Sequence, residues 1–344
     1  NGQLKLKDSV TADFETKNTY SITITATDDA NHETSVIYTL QVTDANDSPT
    51  NIALSGNSID ENTAGMPVGT LTTSDVDPGD SHAYSLSGTN AASFEVVNGQ
   101  LKLKSSVSAD FETKNTYSIT ITATDDANHE TSVTYSLQVA DANDSPTAIE
   151  LSANSIDENT AGMAVGILTT SDVDPGDSHT YSLSGNDAAS FEVVNGELKL
   201  KTGVTANYET NSTLTVTVTA TDTGGLTTSQ NFTVTVNDLN DAPTLTNSVS
   251  DQSIDEDSAF SFAIPANIFN DEDGDALTYS AILSDGSALP SWLSFDAATQ
   301  TFTGTPVNAD VGELTIKVTA SDGSTSVSDS FIITVANTND APTG

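Results

Sequence analysis

Residues Asn1 to Thr50 recur almost unchanged at Asn98 to Thr147, at an offset of 97 residues and with five substitutions. The same offset carries Asp75 onto Asp172 and Asp141 onto Asp238, and a more diverged unit follows at an offset of about 99, with Asp271 standing where Asp172 stood. A repeat of this length excludes a single large core: each unit must close its own small domain. The chain therefore divides into an incomplete unit at 1–47, complete units at 48–144 and 145–241, and a fourth at 242–344.

Within each unit the apolar residues alternate. Tyr117, Ile119, Ile121 and Ala123 are separated by Ser and Thr, and Val133, Tyr135, Leu137 and Val139 follow the same rule. Period two places one face in a core and the other in water, the signature of a strand. Between Phe94 and Leu103, Asn98-Gly99 supplies the two positive-φ residues that a tight type I′ hairpin demands. Some seven short strands per unit and no helical periodicity predict an all-β fold: tandem Greek-key antiparallel β-sandwiches in a linear array. The unit at 1–47 holds only the C-terminal strands of such a sandwich. Residues 1–43 are expected to be poorly ordered, paired with another chain, or the remnant of a longer array.

The 344 residues carry a formal net charge of −40, with 49 acidic residues against nine basic ones, all lysine. Such an excess repels phosphate backbones and anionic lipid, so neither nucleic acid nor membrane insertion is expected. The partners suited to dense carboxylate are hard cations, above all Ca²⁺. No cysteine is present, so disulfides cannot brace these small domains, and metal is the alternative.

The acids recur in register. Glu61 and Glu158 open the units in Ile-Asp-Glu-Asn, and Asp75-Val-Asp77 and Asp172-Val-Asp174 follow. Asp13-Phe-Glu15, Asp110-Phe-Glu112 and Asn207-Tyr-Glu209 precede one long strand, and Asp125 and Asp222 close it. Asp44-Ala-Asn46-Asp47, Asp141-Ala-Asn143-Asp144 and Asp238-Leu-Asn240-Asp241 end the units before a proline. With termini at opposite ends of a sandwich, these motifs gather where one unit meets the next. The second junction would hold Glu61, Asp110, Glu112, Asp141, Asp144, Asp172, Asp174 and Asp222. Two like charges about 4 Å apart repel by about 4 kcal/mol at an effective dielectric of 20. Two or three Ca²⁺ ions, each taking 6–8 oxygens, would relieve that repulsion.

Taken together these five motifs resemble the cadherin repeat over residues 1–243. The resemblance implies a seven-strand Greek-key module with Ca²⁺ held between successive modules by the residues just named. Three departures qualify it: Asn207 replaces an acid, Gly79-Asp80-Ser81 stands where animal repeats have Gly-x-Asn, and Ser48 or Ser145 replaces the last Asn of the closing motif. In the fourth unit, Asp271-Glu-Asp273-Gly-Asp275, Leu289-Pro-Ser-Trp292-Leu-Ser-Phe295 and Thr303-Gly-Thr-Pro306 resemble the dystroglycan-type cadherin-like domain. Asp271, Asp273 and Asp322 would close the third junction, and Asp310 would replace the missing Asp-x-Glu. The linker Asn337-Thr-Asn339-Asp340-Ala-Pro would carry a half-built site.

Asp271 to Asp275 is not an EF-hand loop, because it lacks the Glu at the twelfth position and the flanking helices. His32, His82, His129 and His179 form two repeat-related pairs and read as surface residues. No nucleophile–base pattern and no phosphate loop is present, so catalysis is not expected. Trp292 reads as core rather than as a sugar platform. The function expected is a calcium-binding extender of a secreted bacterial surface adhesin, resembling the repeats of large RTX-type adhesins. Alternatives are a calcium-dependent carbohydrate-binding module with cell-surface or polysaccharide ligands and, last, homophilic adhesion.

Overall fold

A computed structural model describes residues 2–339; the expected linker residues Asp340 to Pro342 lie outside the described residues. The chain is all-β, in tandem sandwiches. It separates into two compact units, residues 1–145 with 173–177, and residues 146–172 with 178–344.

The first unit begins with a two-stranded hairpin, β1 (Thr19–Thr27) and β2 (Glu33–Gln41), paired antiparallel from Thr19↔Gln41 to Thr27↔Glu33. A complete sandwich follows. Its strands are β3 (Asn51–Leu54), β4 (Ser58–Asp60), β5 (Pro67–Ser74), β6 (Ala83–Ser87), β7 (Phe94–Val97), β8 (Gln100–Leu103), β9 (Thr116–Thr124) and β10 (Glu130–Ala140). One sheet has the order β4-β10-β9-β6 and the other β3-β5-β8-β7. The first edge pair, β4 on β10, is parallel, whereas β9 lies antiparallel to both β10 and β6. Asn98 and Gly99 have φ of 50° and 74°, so β7 and β8 close in the two-residue turn expected of Asn-Gly.

The alternating residues do what period two requires. Ile119, Ile121 and Ala123 of β9 and Leu137 of β10 are fully buried against Ile59, Leu101 and Leu103, while the intervening Thr and Ser hydroxyls pair across the outer face, as Thr120 does with Thr134 at 2.9 Å and Thr122 with Ser132 at 2.8 Å. Phe94 meets Tyr117 edge-on at 5.5 Å.

In the second unit a sandwich with the same two four-stranded orders spans Ala148–Leu151 to Thr227–Asn237, around Phe191, Leu198, Leu200 and Val218. A further one spans Thr244–Leu245 to Ser326–Ala336, around Phe302, Ile316, Phe331 and Ile333. There Trp292 packs against the core, as its sequence setting predicts. A side chain at Gly304 would collide with the Trp292 carbonyl and indole, so glycine is needed at that position to seat the tryptophan.

Candidate functional site

The repeated geometry of the sandwich ends places the motif acids. In the first unit the Glu61 carboxylate is buried at 3% exposure, and it is held there by the backbone. Its Oε2 accepts the Phe111 N–H at 2.6 Å and its Oε1 the Ala142 N–H at 2.6 Å, tying its own segment to the two that carry Glu112 and Asp141. Glu61, Glu112 and Asp141 offer oxygens within 4.8 Å of one another, and Glu112 forms a second such cluster with Asp144 and Asp174. The Asp144 N–H donates to Asp174 Oδ2 at 2.7 Å, and the Asn62 amide donates to Asp144 Oδ1 at 3.0 Å. Burial, and then the charges of Glu61 and Asp174, push the Asp144 carboxyl above its ordinary range. Burial also raises Glu112, reinforced by Glu61 and Asp141. Asp110 is spent locally, on the Thr113 N–H at 2.7 Å and hydroxyl at 2.9 Å, and Asp13 caps Thr16 in the same way.

At the hairpin end of this unit, Glu15, Asp44 and Asp77 cluster within 4.8 Å. The Asp47 N–H donates to Asp77 Oδ2 at 2.6 Å, and the Asn46 amide reaches Asp125 Oδ2 at 2.8 Å. Asp75, Asp80 and Asp125 form a further cluster, with Asp125 only 5% exposed. Asp80 was not among the predicted ligands. Burial and then the charges of Asp75 and Asp77 raise its carboxyl, and its Oδ2 is buried with no hydrogen-bond partner.

In the second unit Glu158 repeats the role of Glu61, accepting the Tyr208 N–H at 2.7 Å and the Leu239 N–H at 2.8 Å, and clusters with Glu209 and Asp238. The Asp241 N–H donates to Asp273 Oδ2 at 2.6 Å, and the Asn240 amide donates to Asp322 Oδ2 at 3.0 Å. Hydrogen bonds from Asn240 and from the Thr325 backbone hold Asp322 far below the usual carboxylate range. Asn207 donates its amide to Glu272 at 2.9 Å, so a residue absent from the sequence expectation joins this end. Asp222 accepts the Leu226 N–H at 2.8 Å, and Asp172 accepts from His179 at 2.9 Å. Asn143 turns its amide onto the Asp144 carbonyl at 2.8 Å.

One expectation needs correction. The side chains of His82 and His179 are 12% and 10% exposed, not surface residues, because each donates Nε2–H to a motif aspartate, Asp75 or Asp172, at the sandwich end. His32 and His129 are exposed as expected. Asp310, expected to replace the missing Asp-x-Glu, accepts the Val307 N–H at 2.9 Å through Oδ2, a local turn bond like that of Asp110. Glu256, which went unpredicted, is the counterpart of Glu61 and Glu158. It is 2% exposed, accepts the Thr338 N–H at 2.7 Å through Oε1, and has no partner at Oε2. Ile254-Asp-Glu256 matches Ile59-Asp-Glu61, which was the available signal.

The donor set suits a hard divalent cation. The clusters named above consist of carboxylate oxygens, and buried oxygens of Asp80, Asp241, Asp271, Asp273 and Glu256 lack any hydrogen-bond donor. A buried anionic oxygen left unpaired is costly, and coordination to a cation removes the cost.

Residues 57–140 match the cadherin domain family, and residues 242–336 match the family described as "Putative Ig domain". The repeat at 57–140 is thus similar to a cadherin domain and the stretch at 242–336 to an Ig-like domain. Over 228 residues the chain is 31% identical to the Fat-like cadherin-related tumor suppressor homolog of Drosophila melanogaster, a match that takes 60% of this chain and spans 5% of that protein's length. The fold of the protocadherin GammaB4 extracellular domain covers 95% of this chain and 56% of that chain, with a TM-score of 0.67 at 23% identity. Mouse cadherin-23 EC22-24 covers 86% of this chain and all of that one, with a TM-score of 0.61 at 16% identity. At such identities the structural likeness speaks for the fold. No helix among the described residues is long and apolar enough to cross a membrane.

Proposed function

We propose that the chain is a calcium-binding extender segment of a secreted surface adhesion protein, a spacing and binding role rather than catalysis. The observation that carries this reading is the pair of oxygen clusters sharing Glu112, one with Glu61 and Asp141 and the other with Asp144 and Asp174. Glu61, Glu112, Asp141, Asp144 and Asp174 would hold Ca²⁺, and the ions would fix the linker Asp141 to Pro146 against the repeat ends. Glu158, Glu209, Asp238, Asp241 and Asp273 would do the same in the second unit. Without cations, like-charge repulsion and linker freedom leave each connection flexible. Near-identical repeats, the absence of Cys and Arg, and the strong acidity support a bacterial cell-surface adhesin of the RTX type.

The test is small-angle X-ray scattering in millimolar Ca²⁺ and again after chelation. The expected result is a distance distribution that broadens when Ca²⁺ is removed and is restored on re-addition. The Glu112→Gln, Asp174→Asn double variant should lose that response in part while keeping its strand content by circular dichroism. Scattering indifferent to Ca²⁺ would sink the proposal.

A further inference from the structure

The repeat at 145–241 lacks an aromatic ring that the repeat at 48–144 holds in its core. Tyr117 opens the buried row of β9, is itself buried, and faces Leu137 across the ladder. Its ring meets Phe94 edge-on at 5.5 Å, and the Lys114 ammonium lies over it at 4.7 Å. At the offset of 97 residues, Leu214, Val234, Phe191 and Asn211 stand where Tyr117, Leu137, Phe94 and Lys114 stand. Leu214 pairs with Val234 in the matching register, and Phe191 is buried like Phe94. Both members of the facing pair have become smaller, and the covering lysine is gone. Interiors close-pack, so a ring removed without a larger neighbour leaves a space.

A pocket of about 190 Å³ opens at that place. Leu200, Val204, Ala206 and Leu214 line it, with Asn207 and Asn211 among its polar residues. Leu214 is only half-buried, as the open position requires. Every lining residue is uncharged, although the chain carries a net charge of −40. Two of the changes between the repeats produce this neutrality, since Asp110 and Lys114 become Asn207 and Asn211. The Asn207 side chain is fixed at the pocket, accepting the Thr210 N–H at 2.6 Å and donating to Glu272 at 2.9 Å. An apolar cavity of about 150 Å³ takes one benzene ring, so the space here suits a single ring.

We propose that this pocket binds a free phenol, one uncharged aromatic ring with a hydroxyl, in the place that Tyr117 fills in the neighbouring repeat. The protein's own occupant of the equivalent position defines the ligand. The ring would lie against Leu214 and Val204, with the buried Phe191 placed to meet it as Phe94 meets Tyr117. The hydroxyl would find partners in the asparagine and threonine lining. A carboxylated ring is disfavoured, because an uncharged pocket offers no counterion and the surrounding chain is anionic. The site lies within one repeat, goes beyond the extender reading and does not depend on calcium.

The test titrates p-cresol, the side-chain analogue of tyrosine, into the full chain with labelled Leu and Val methyl groups. Saturable shifts are expected at the methyls of Leu200, Val204 and Leu214, with none at Leu103 or Leu137. Leu214→Tyr, which restores the ring, should abolish the shifts at Leu200 and Val204. If circular dichroism shows that this variant has lost strand content, Leu214→Phe fills the same space with a smaller group and should give the same loss. Benzoate should bind at least about tenfold more weakly than p-cresol, for want of a partner for its carboxylate. The absence of saturable shifts would overturn the proposal, as would shifts that survive in a folded filled variant. Cyclohexanol or benzoate binding as tightly as p-cresol would reveal an unselective cavity and overturn the phenol assignment. A chain that sediments as a dimer, and as a monomer once Leu214 is replaced, would give the pocket to a side chain of a second copy and overturn it equally.

Discussion

Thr19–Thr27 and Thr116–Thr124 have one sequence and two fates. The second is a central strand whose alternate side chains are buried, while the first is one strand of a two-stranded ribbon with both edges open. Both pair with the following strand in the same register, Ile24↔Val36 and Ile121↔Val133. The two hairpins keep one register although only the second is buried. What the comparison teaches is that β propensity in this chain is a statement about available cover, since the residues that stabilise β9 sit on β4, β6 and β7.

The most direct way to break that comparison is to remove the same methyl groups from both copies. Ile121→Ala should destabilise its sandwich by about 2–5 kcal/mol, the range for emptying a packed core site. Ile24→Ala should stay within about 0.5 kcal/mol, as for an exposed position. Denaturant unfolding followed by hydrogen exchange in each segment separates the two. Equal effects would mean that the hairpin is covered in solution.

Calcium sharpens the same contrast at the two ends of the first unit. The Glu15, Asp44 and Asp77 cluster is built of exposed and half-buried carboxylates, whereas Glu112 shares a cluster with the buried Glu61. Saturating Ca²⁺ at 100 times its dissociation constant should add about 2.7 kcal/mol of stability to the repeat that binds it. Asp174→Asn should remove more of that gain than Asp77→Asn. Titration calorimetry on the two variants checks the order, and a larger loss from Asp77→Asn would refute it.

A third test turns to two positions with the same motif and different neighbours. Glu158 satisfies two backbone donors, whereas Glu256 satisfies one and leaves Oε2 buried without a partner. In metal-free buffer Glu158→Gln should cost about 1–3 kcal/mol, because an amide N–H then faces a backbone N–H. Glu256→Gln should cost less, since its amide oxygen can still accept from Thr338. In saturating Ca²⁺ the Glu256 variant should lose its advantage. Melting curves with and without Ca²⁺ read both.

Most of the fold was legible because the repeat fixed the unit, period two fixed the faces, and Asn-Gly fixed the hairpin turn. The acids around Glu61, Glu112 and Asp144 were legible because they recur in phase. Glu256 is harder to see: Ile254-Asp-Glu256 carries the opening pattern, but it lacks the following Asn and stands in the diverged fourth unit. Asp80 recurs in phase as Asp177, but it follows Pro-Gly and reads as a turn residue, while Glu272 has no counterpart in the earlier repeats; folding brings both to the sandwich ends. The burial of His82 and His179 was illegible because it depends on a bond to an aspartate seven residues earlier in a loop, which no periodicity marks.

The smallest effect expected is also the one whose sign is most diagnostic. Burial and neighbouring charge raise Asp144, Asp241 and Asp80. A carboxyl whose folded pKa lies above its unfolded value of about 3.9 opposes folding while ionised, and that penalty is relieved as pH falls through the folded pKa. Asp75, lowered by its bond from His82, and Asp322 contribute stability above about pH 4 that is lost only on further acidification. Metal-free protein should therefore gain stability between neutral pH and the acidic pH at which the raised carboxyls protonate. With Ca²⁺ saturating at neutral pH the slope should reverse, because protons and cation compete for the same oxygens. Melting temperatures at the two pH values, with and without Ca²⁺, decide the point. A metal-free protein that loses stability across that interval would show that these carboxylates are not crowded in solution, and the argument for a cation at the repeat ends would lose its electrostatic basis.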